Sequence, residues 1–323
     1  MKTIKILALT AMTAALTACS NDDEVISNYP SDNIVRVTAS VGEAATRASY
    51  NESNLTEFSM CIINSSNPSY EYHGIKVTKD ANNAWKPETQ MLWQNAQTPV
   101  NIFAFTKAQG VATCCCGSNI EASVKTDQSD ATDCSSDFLG YKKEGFVPET
   151  DLDGNSCIPI TFSHLFSQLN INLTFGTEFN EGQTTGYLTA NPITSIKVIG
   201  SIPTAVCDFT ASTITATADA NVSAEDVTPH VVATSFTAAT ASNKNATVQY
   251  SCILVPQQIS AGNFSVTFTI DGKLYVWKSS ADFTLESGHQ HALNLIIGKD
   301  VVELGTFSVK PWDDAATETL ETE

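Results

Sequence analysis

From Gln168 to Phe175 apolar and polar residues alternate without a break, with Leu169, Ile171, Leu173 and Phe175 on one side and Gln168, Asn170, Asn172 and Thr174 on the other. A period of two marks a strand with one buried face, because successive side chains leave a pleated backbone in opposite directions. The pattern returns at Phe264, Val266, Phe268 and Ile270, is interrupted by Asp271-Gly272, and resumes from Lys273 to Trp277. Asp-Gly between two such runs predicts a type I′ hairpin turn. The resulting register sets Phe268 opposite Tyr275 and Val266 opposite Trp277, cross-strand pairs that contribute roughly 0.2 to 1 kcal/mol each. Further strands are predicted at Val35–Val41, Val100–Phe105, Ile196–Ile199, Tyr250–Val255, His291–Ile297 and Val301–Val309. No long stretch carries a helical period. Residues 117–132 and 180–191 are polar and rich in turn formers, and residues 211–241 are rich in Thr, Ala and Ser, with weak strand character. The fold class expected is therefore all-β.

The chain opens with the basic segment Met1-Lys2-Thr3-Ile4-Lys5, followed by 11 apolar or small residues, Ile6 to Leu16. That run is too short to span a bilayer as a helix, which needs roughly 20 residues, and it has the layout of a signal peptide. Leu16-Thr17-Ala18-Cys19 matches a lipobox, which predicts cleavage between Ala18 and Cys19 and lipid on Cys19; the competing reading is an ordinary secretory signal. Each acyl methylene buried in a membrane contributes about 0.8 kcal/mol, so several chains on one cysteine make a lasting anchor. Residues 19–33 then form an acidic tether, beginning Ser20-Asn21-Asp22-Asp23-Glu24.

Removal of 18 residues from 323 leaves a chain longer than one core usually organises. Two consecutive β-sandwiches are expected, over residues 34–175 and 176–323, with the break near Gly176. Acidic residues outnumber basic ones 35 to 17, which argues against nucleic acid as a partner. Besides Cys19 there are Cys61, Cys114, Cys115, Cys116, Cys134, Cys157, Cys207 and Cys252. An even number in an exported chain permits disulfides without fixing their pairing. Neighbours in an extended Cys114-Cys115-Cys116 run would point to opposite faces and could not share one metal.

The motifs of common enzymes are missing: no Gly-x-Ser-x-Gly elbow, no phosphate loop, no His-Glu-x-x-His. Asp151-Leu152-Asp153-Gly154-Asn155 starts like a calcium loop, but its glycine is at the fourth position and Phe162 stands where the twelfth-position glutamate belongs. A polar turn accounts for it better. His289 and His291 would share one strand face, yet no third ligand accompanies them. The expectation is a non-enzymatic chain without metal or cofactor.

Several segments resemble the fimbrillin family of Bacteroidetes pilins and their accessory subunits. The likeness lies in the lipobox with its acidic follow-on, in Thr46-Arg47-Ala48, and in Ile160-Thr161-Phe162-Ser163-His164-Leu165-Phe166-Ser167-Gln168-Leu169. It continues in the run from Leu285 to Leu295 and in Phe307-Ser308-Val309-Lys310-Pro311-Trp312. The acidic run after Cys19 also resembles a tag for export to the outer face of the outer membrane. The resemblance implies two transthyretin-like sandwiches, a precursor cut after an arginine, and assembly by donor-strand exchange into head-to-tail fimbriae. Other fimbrial subunits, the outer membrane and host or bacterial surface ligands are then the expected partners.

Arg36 and Arg47 are the only two arginines, both near the front, so an arginine-specific protease would spare the rest. Cleavage between Arg47 and Ala48 would remove Val35, Val37, Ala39 and Val41, which alternate on one side of a short strand. A slot left in a sheet needs a replacement strand. Because donor and acceptor surfaces differ, such contacts extend into a filament. After Trp312 the tail holds Leu320 as its one large apolar residue, a poor donor. Either the Val301–Trp312 segment, with Phe307, Val309 and Trp312, is the donor, or the subunit only accepts a strand, as an accessory or tip subunit would. The rival reading is a surface glycan-binding lipoprotein with Trp85, Trp93 or Trp277 stacked on sugars.

Overall fold

A computed structural model describes residues 28–42, 49–106, 118–180 and 186–312. The first half carries β1 (Arg36–Val41), β2 (Glu57–Ile63), β3 (Tyr72–Lys79), β4 (Trp85–Pro87), β5 (Val100–Phe105), β6 (Asn119–Ser123), β7 (Leu139–Phe146) and β8 (Cys157–His164). The second carries β9 (Ser167–Phe175), β10 (Ile193–Ser201), β11 (Thr204–Asp208), β12 (Thr215–Ala218), β13 (Glu225–Val227), β14 (His230–Val231) and β15 (Thr247–Leu254). It ends with β16 (Gln257–Ile259), β17 (Ser265–Ile270), β18 (Lys273–Lys278), β19 (Phe283–Leu285), β20 (His289–Ile297) and β21 (Val302–Pro311). The fold is all-β, as the dominant period of two requires; the one α-helical element among the described residues is a single turn at Pro148–Asp151.

In the first half, seven strands form one sheet in the order β1-β8-β7-β5-β2-β3-β4. The sheet curls until its ends approach: Ile34 bridges Leu92, and Val35 N–H donates to Met91 O at 3.0 Å. Phe58, Met60, Ile62, Ile102, Ile158, Ile160 and Phe162 fill the inside of the curl. In the second half, β13-β10-β17-β18 and β14-β15-β9-β20-β21 face each other across a separate core containing Leu169, Ile171, Leu173, Val266, Phe268 and Leu293.

A third cluster joins the halves. β6 pairs with β11, which pairs with β12, so a strand from the first half completes a sheet of the second. Ile120, Ala122, Phe103 and Phe105 pack there with Cys207, Phe209, Ile253, Leu165 and Trp312. The polar stretch 117–132 thus contains β6, whose Ile120 and Ala122 are too few to show a period.

The chain passes from one large sheet to the other at Leu165-Phe166. β9, which a division at 175/176 assigns to the first unit, hydrogen-bonds to β15 and β20 of the second. The polar face of β9 is not solvated along its first part either, since Gln168 and Asn170 are buried, whereas Asn172 and Thr174 are partly exposed. Gln168 stands opposite Ile253, and that residue belongs to the joining cluster, so the first half covers this face. Alternation reports which face prefers oil; it does not report what lands on the other.

The hairpin forms in the register expected, with Val266 opposite Trp277 and Phe268 opposite Tyr275. The rings of Phe268 and Tyr275 stack with centroids 5.5 Å apart. Asp271 and Gly272 have φ of 50° and 78°, the two positive values that a type I′ turn demands. A Cβ on Gly272 would meet nothing within 4 Å, so only backbone conformation opposes it. Gly272→Ala is expected to cost about 1 kcal/mol, read as a shift in denaturant midpoint; no shift would mean that the turn does not hold this conformation.

Candidate functional site

β1 carries the candidate site. Val35, Val37 and Val41 are all buried, whereas Ala39 is half-buried. Burying a valine side chain contributes roughly 1.5 to 3 kcal/mol, so this short strand is firmly seated. It runs parallel to β8, pairing residue by residue from Arg36 with Cys157 to Val41 with Phe162. Its other side is held at the start by Val35 N–H on Met91 O and by Trp93 N–H on Asn33 O at 2.8 Å. β1 therefore closes the curled sheet, and its valines share a core with Phe58, Ile158, Ile160 and Phe162. Taking β1 away would leave β8 without its partner along six residues and open an apolar slot. An exposed edge beside an apolar slot is a template for another strand.

Arg36 stays at the surface and grips Asp32 with both terminal guanidinium nitrogens, Nη1 and Nη2, at 3.1 and 2.5 Å. That hydrogen-bonded pair holds the Asp32 carboxyl down at about 2. Ala18, Cys19, Arg47 and Ala48 lie outside the described residues, as do the Cys114-Cys115-Cys116 run and everything after Trp312.

Phe307, Val309 and Trp312 are placed elsewhere. β21 lies at the edge of the second half's five-stranded sheet, antiparallel to β20, with Phe307 opposite Leu293 and Val309 opposite His291. Phe307 packs on Phe283 with centroids 4.8 Å apart. Trp312 is buried in the joining cluster and lies flat on His164, 4.1 Å between centroids and 4° between planes. The structure thus brings Val35, Val37 and Val41 together, and keeps the candidate donor residues in a different sheet.

Sequence reasoning missed the group under Trp312. His164 Nδ1 lies 3.0 Å from Asp137 Oδ1, and both side chains are fully buried. Asp137 Oδ2 accepts the Tyr50 amide at 2.8 Å. The segment Ile160–Leu169 holds this histidine, but nothing local to it points to Asp137, 27 residues upstream.

The other candidates fall into structural roles. Asp153 Oδ1 accepts the amides of Asn155 and Cys157, both at 2.9 Å, as a polar turn would have it. Trp93 stacks on Phe146, Trp277 is buried in the second core, and Trp85 packs edge-on to Phe58, so the tryptophans named for sugar stacking are spent on packing. Cys61 is disulfide-bonded, while Cys157, Cys207 and Cys252 are free thiols and Cys134 Sγ accepts a hydrogen bond from Asn54 Nδ2 at 3.3 Å. Burial pushes the Cys134 and Cys207 thiols up to about 12, which keeps them unreactive. Among the described residues, no three His, Cys, Asp or Glu side chains gather as a metal site.

His289 Nδ1 lies 2.7 Å from Ser287 O, while the buried His291 accepts the Glu286 amide on Nε2 at 3.0 Å. Burial lowers the His291 pKa to about 4. Between about pH 6.5 and 4 the unfolded chain then binds more protons than the folded one, so this group removes stability as pH falls. The expected loss is up to about 1.4 kcal/mol per pH unit across that window. A stability profile of His291→Gln should be flatter there than that of the parent; an equal slope would contradict the assignment.

Three comparisons bear on this geometry. A family model described as fimbrillin-like matches residues 45–312. No curated protein matches the sequence. Among solved structures, a proposed cell adhesion protein from Bacteroides uniformis has a TM-score of 0.56 at 16% identity, covering 88% of this chain and 99% of its own. A second one, from Bacteroides ovatus, gives 0.59 at 13% identity, with 86% and 97% covered. The tip fimbrial protein Mfa3 from Porphyromonas gingivalis, with a C-terminal truncation, gives 0.50 at 10% identity, with 85% and 99% covered. At these identities the likeness is one of fold.

Proposed function

Since the chain belongs to the fimbrillin-like family, we propose that it is a structural or accessory subunit of cell-surface fimbriae, exported as a lipoprotein and joined to its neighbours by strand exchange. The observation that carries this reading is the seat of β1: a six-residue strand whose two valines, with Val35 just before it, are buried, at the end of its sheet, beside a partner strand that would be bare along six residues without it. Lipid on Cys19 would deliver the precursor to the outer membrane. Cleavage between Arg47 and Ala48 would then remove both anchor and β1 and open the slot for a strand from the next subunit. Adhesion to host or bacterial surfaces would be exerted by the assembled fimbria. The structure described here is that of the uncut chain, with β1 in place.

Residues 313–323 hold five acidic residues and one large apolar residue, Leu320, a composition that would fill a groove poorly as a donor strand. β21 has a better pattern, with Val302 and Phe307 packed against the second core, but it already serves that core as an edge strand.

The direct test is to treat the purified protein with an arginine-specific protease, weigh the product, and run it on a gel without boiling. The expected result is a chain beginning at Ala48 and a ladder of heat-sensitive oligomers. An uncut chain, or a cut chain that stays monomeric, would overturn the reading.

A further inference from the structure

β7 and β8 run together for two rungs, Leu139 with His164 and Gly140 with Ser163. Beyond these the strands part, and a cleft of about 330 Å³ opens between them and the loop that joins β11 to β12. Bonds on the far edges fix which main-chain groups face it, because successive residues of a strand bond to opposite sides. Thr106 N–H donates to Leu139 O, so Leu139 and Tyr141 face β5, and Gly140 and Lys142 face the cleft. Gly42 N–H donates to Phe162 O, so Ile160 and Phe162 face β1, and Thr161 and Ser163 face the cleft. Lys142 with Thr161 would be the next rung, and it is not formed. The peptide N–H and C=O of both residues therefore look into the opening with no strand to take them. Thr161, Ser163, Ser212 and Thr213 add hydroxyls to the lining, and Leu165 and Ile214 add an apolar wall. That wall closes over Gly140, where a Cβ would lie 2.7 Å from Leu165 Cδ1 and 3.1 Å from Ile214 Cδ1. Lys142 is the one cation among the lining residues, and it is already engaged: its Nζ donates to Ala211 O at 2.7 Å and pairs with Glu144 Oε1 at 2.8 Å. The ammonium pins the covering loop and leaves the lining without a free charge.

We infer that the cleft at the fork of β7 and β8 is a binding site for a neutral mono- or disaccharide. Each hydroxyl of the lining, and each unpaired peptide group with its N–H and C=O, both gives and takes hydrogen bonds, and sugar hydroxyls require both from every side. Leu165 and Ile214 offer a surface for the C–H face of a ring. The volume lies at the lower end of the roughly 300 to 1,000 Å³ usual for ligand pockets, and the place, where strands of the first half meet a loop of the second, is a usual one for them. An acidic sugar would find no free cation here, and burying an unpaired charge is costly. An extended peptide could use the same main-chain groups. The two rungs close the cleft at one end, however, and the pinned loop covers it, so a strand has no path along β8. The cleft is on the edge of β8 opposite to β1. It is therefore independent of whether the front of the chain is removed, and it gives the subunit a ligand apart from its assembly contacts.

Amide chemical shifts of the full, uncut chain, followed by NMR during titration, test the site. The probes are glucose, galactose, mannose, N-acetylglucosamine, lactose, cellobiose and maltose, with N-acetylneuraminic acid as the charged control and an end-blocked threonine–valine peptide as the extended one. At least one neutral sugar should move the Lys142, Thr161 and Thr213 amides saturably, and N-acetylneuraminic acid should not. Ser163→Trp fills the cleft from an exposed position on β8 and should weaken that sugar at least tenfold. Thr213→Trp, exposed on the covering loop, should do the same without touching the sheet, and decides the matter if Ser163→Trp disturbs amides outside the cleft. Four results would each overturn the site: no neutral sugar saturating these amides, saturable shifts confined to other residues, equal affinity in the filled variants, or equal affinity for N-acetylneuraminic acid. A response to the peptide with none to the sugars would also overturn it, and would make the fork a place for an extended chain.

Discussion

A chain beginning at Ala48 is expected to lose roughly 5 kcal/mol or more of folding free energy relative to the uncut protein, as long as it is held dilute enough to stay monomeric. The figure follows from three valines, each contributing roughly 1.5 to 3 kcal/mol when buried. Val35, Val37 and Val41 are 2%, 4% and 6% exposed, so almost all of that contribution is realised. The six residue pairs with β8 add to it, because their removal bares the backbone of a strand that otherwise has only two pairs with β7. Whole-domain stability is of order 5 to 15 kcal/mol, so the truncated first half would be marginal alone. Denaturant titration at submicromolar concentration would measure the loss. A loss below about 1 kcal/mol, less than one buried valine contributes, would mean that β1 is merely laid on the surface.

The second large effect is at Trp312. It is 2% exposed, it packs with Phe138, Leu165 and Phe166, and it stacks on His164. Trp312→Ala is expected to destabilise by about 3 to 5 kcal/mol, the usual cost of emptying a large aromatic site. Trp312→Phe retains a ring for His164 to stack on, and should cost less than half as much. The joining cluster draws on both halves, so the effect should appear in reporters on each, such as the environments of Trp93 and Trp277. A loss confined to one half would show that the halves unfold independently of this cluster.

The sequence was most legible where the physics is local. The β17–β18 hairpin needs only a two-residue period and an Asp-Gly turn, and its register followed from counting outward from that turn. β5 was marked by a compact apolar run, Val100 to Phe105. β2 escaped notice because Met60, Cys61 and Ile62 are buried in succession, one side toward the first core and the other toward the joining cluster, which erases alternation. β8 does alternate, with Ile158, Ile160, Phe162 and His164 buried, but Pro159 argues against a central strand. The proline is tolerated because it lies where β7 has already parted from β8, so no ladder bond is lost on that side.

The site was half legible for the same reason. That Val35, Val37 and Val41 would be buried together could be read from their spacing, because it concerns one strand. That they would lie parallel to residues 157–162, about 120 positions away, could not, because parallel pairing leaves no turn to count from. The group formed by Tyr50, Asp137, His164 and Trp312 was invisible for a stronger reason: each contributes a single polar or aromatic contact, and only the topology brings them together.

If the place of β1 is a slot for another strand, the protease-cut chain should accept a synthetic peptide with the sequence of residues 33–42. The peptide is expected to bind one to one, restore the denaturation midpoint and suppress the heat-sensitive ladder, and the same peptide with aspartate at the positions of Val35, Val37 and Val41 to do none of these. A cut chain that ignores the native peptide, or that responds equally to both, would mean that no such slot exists.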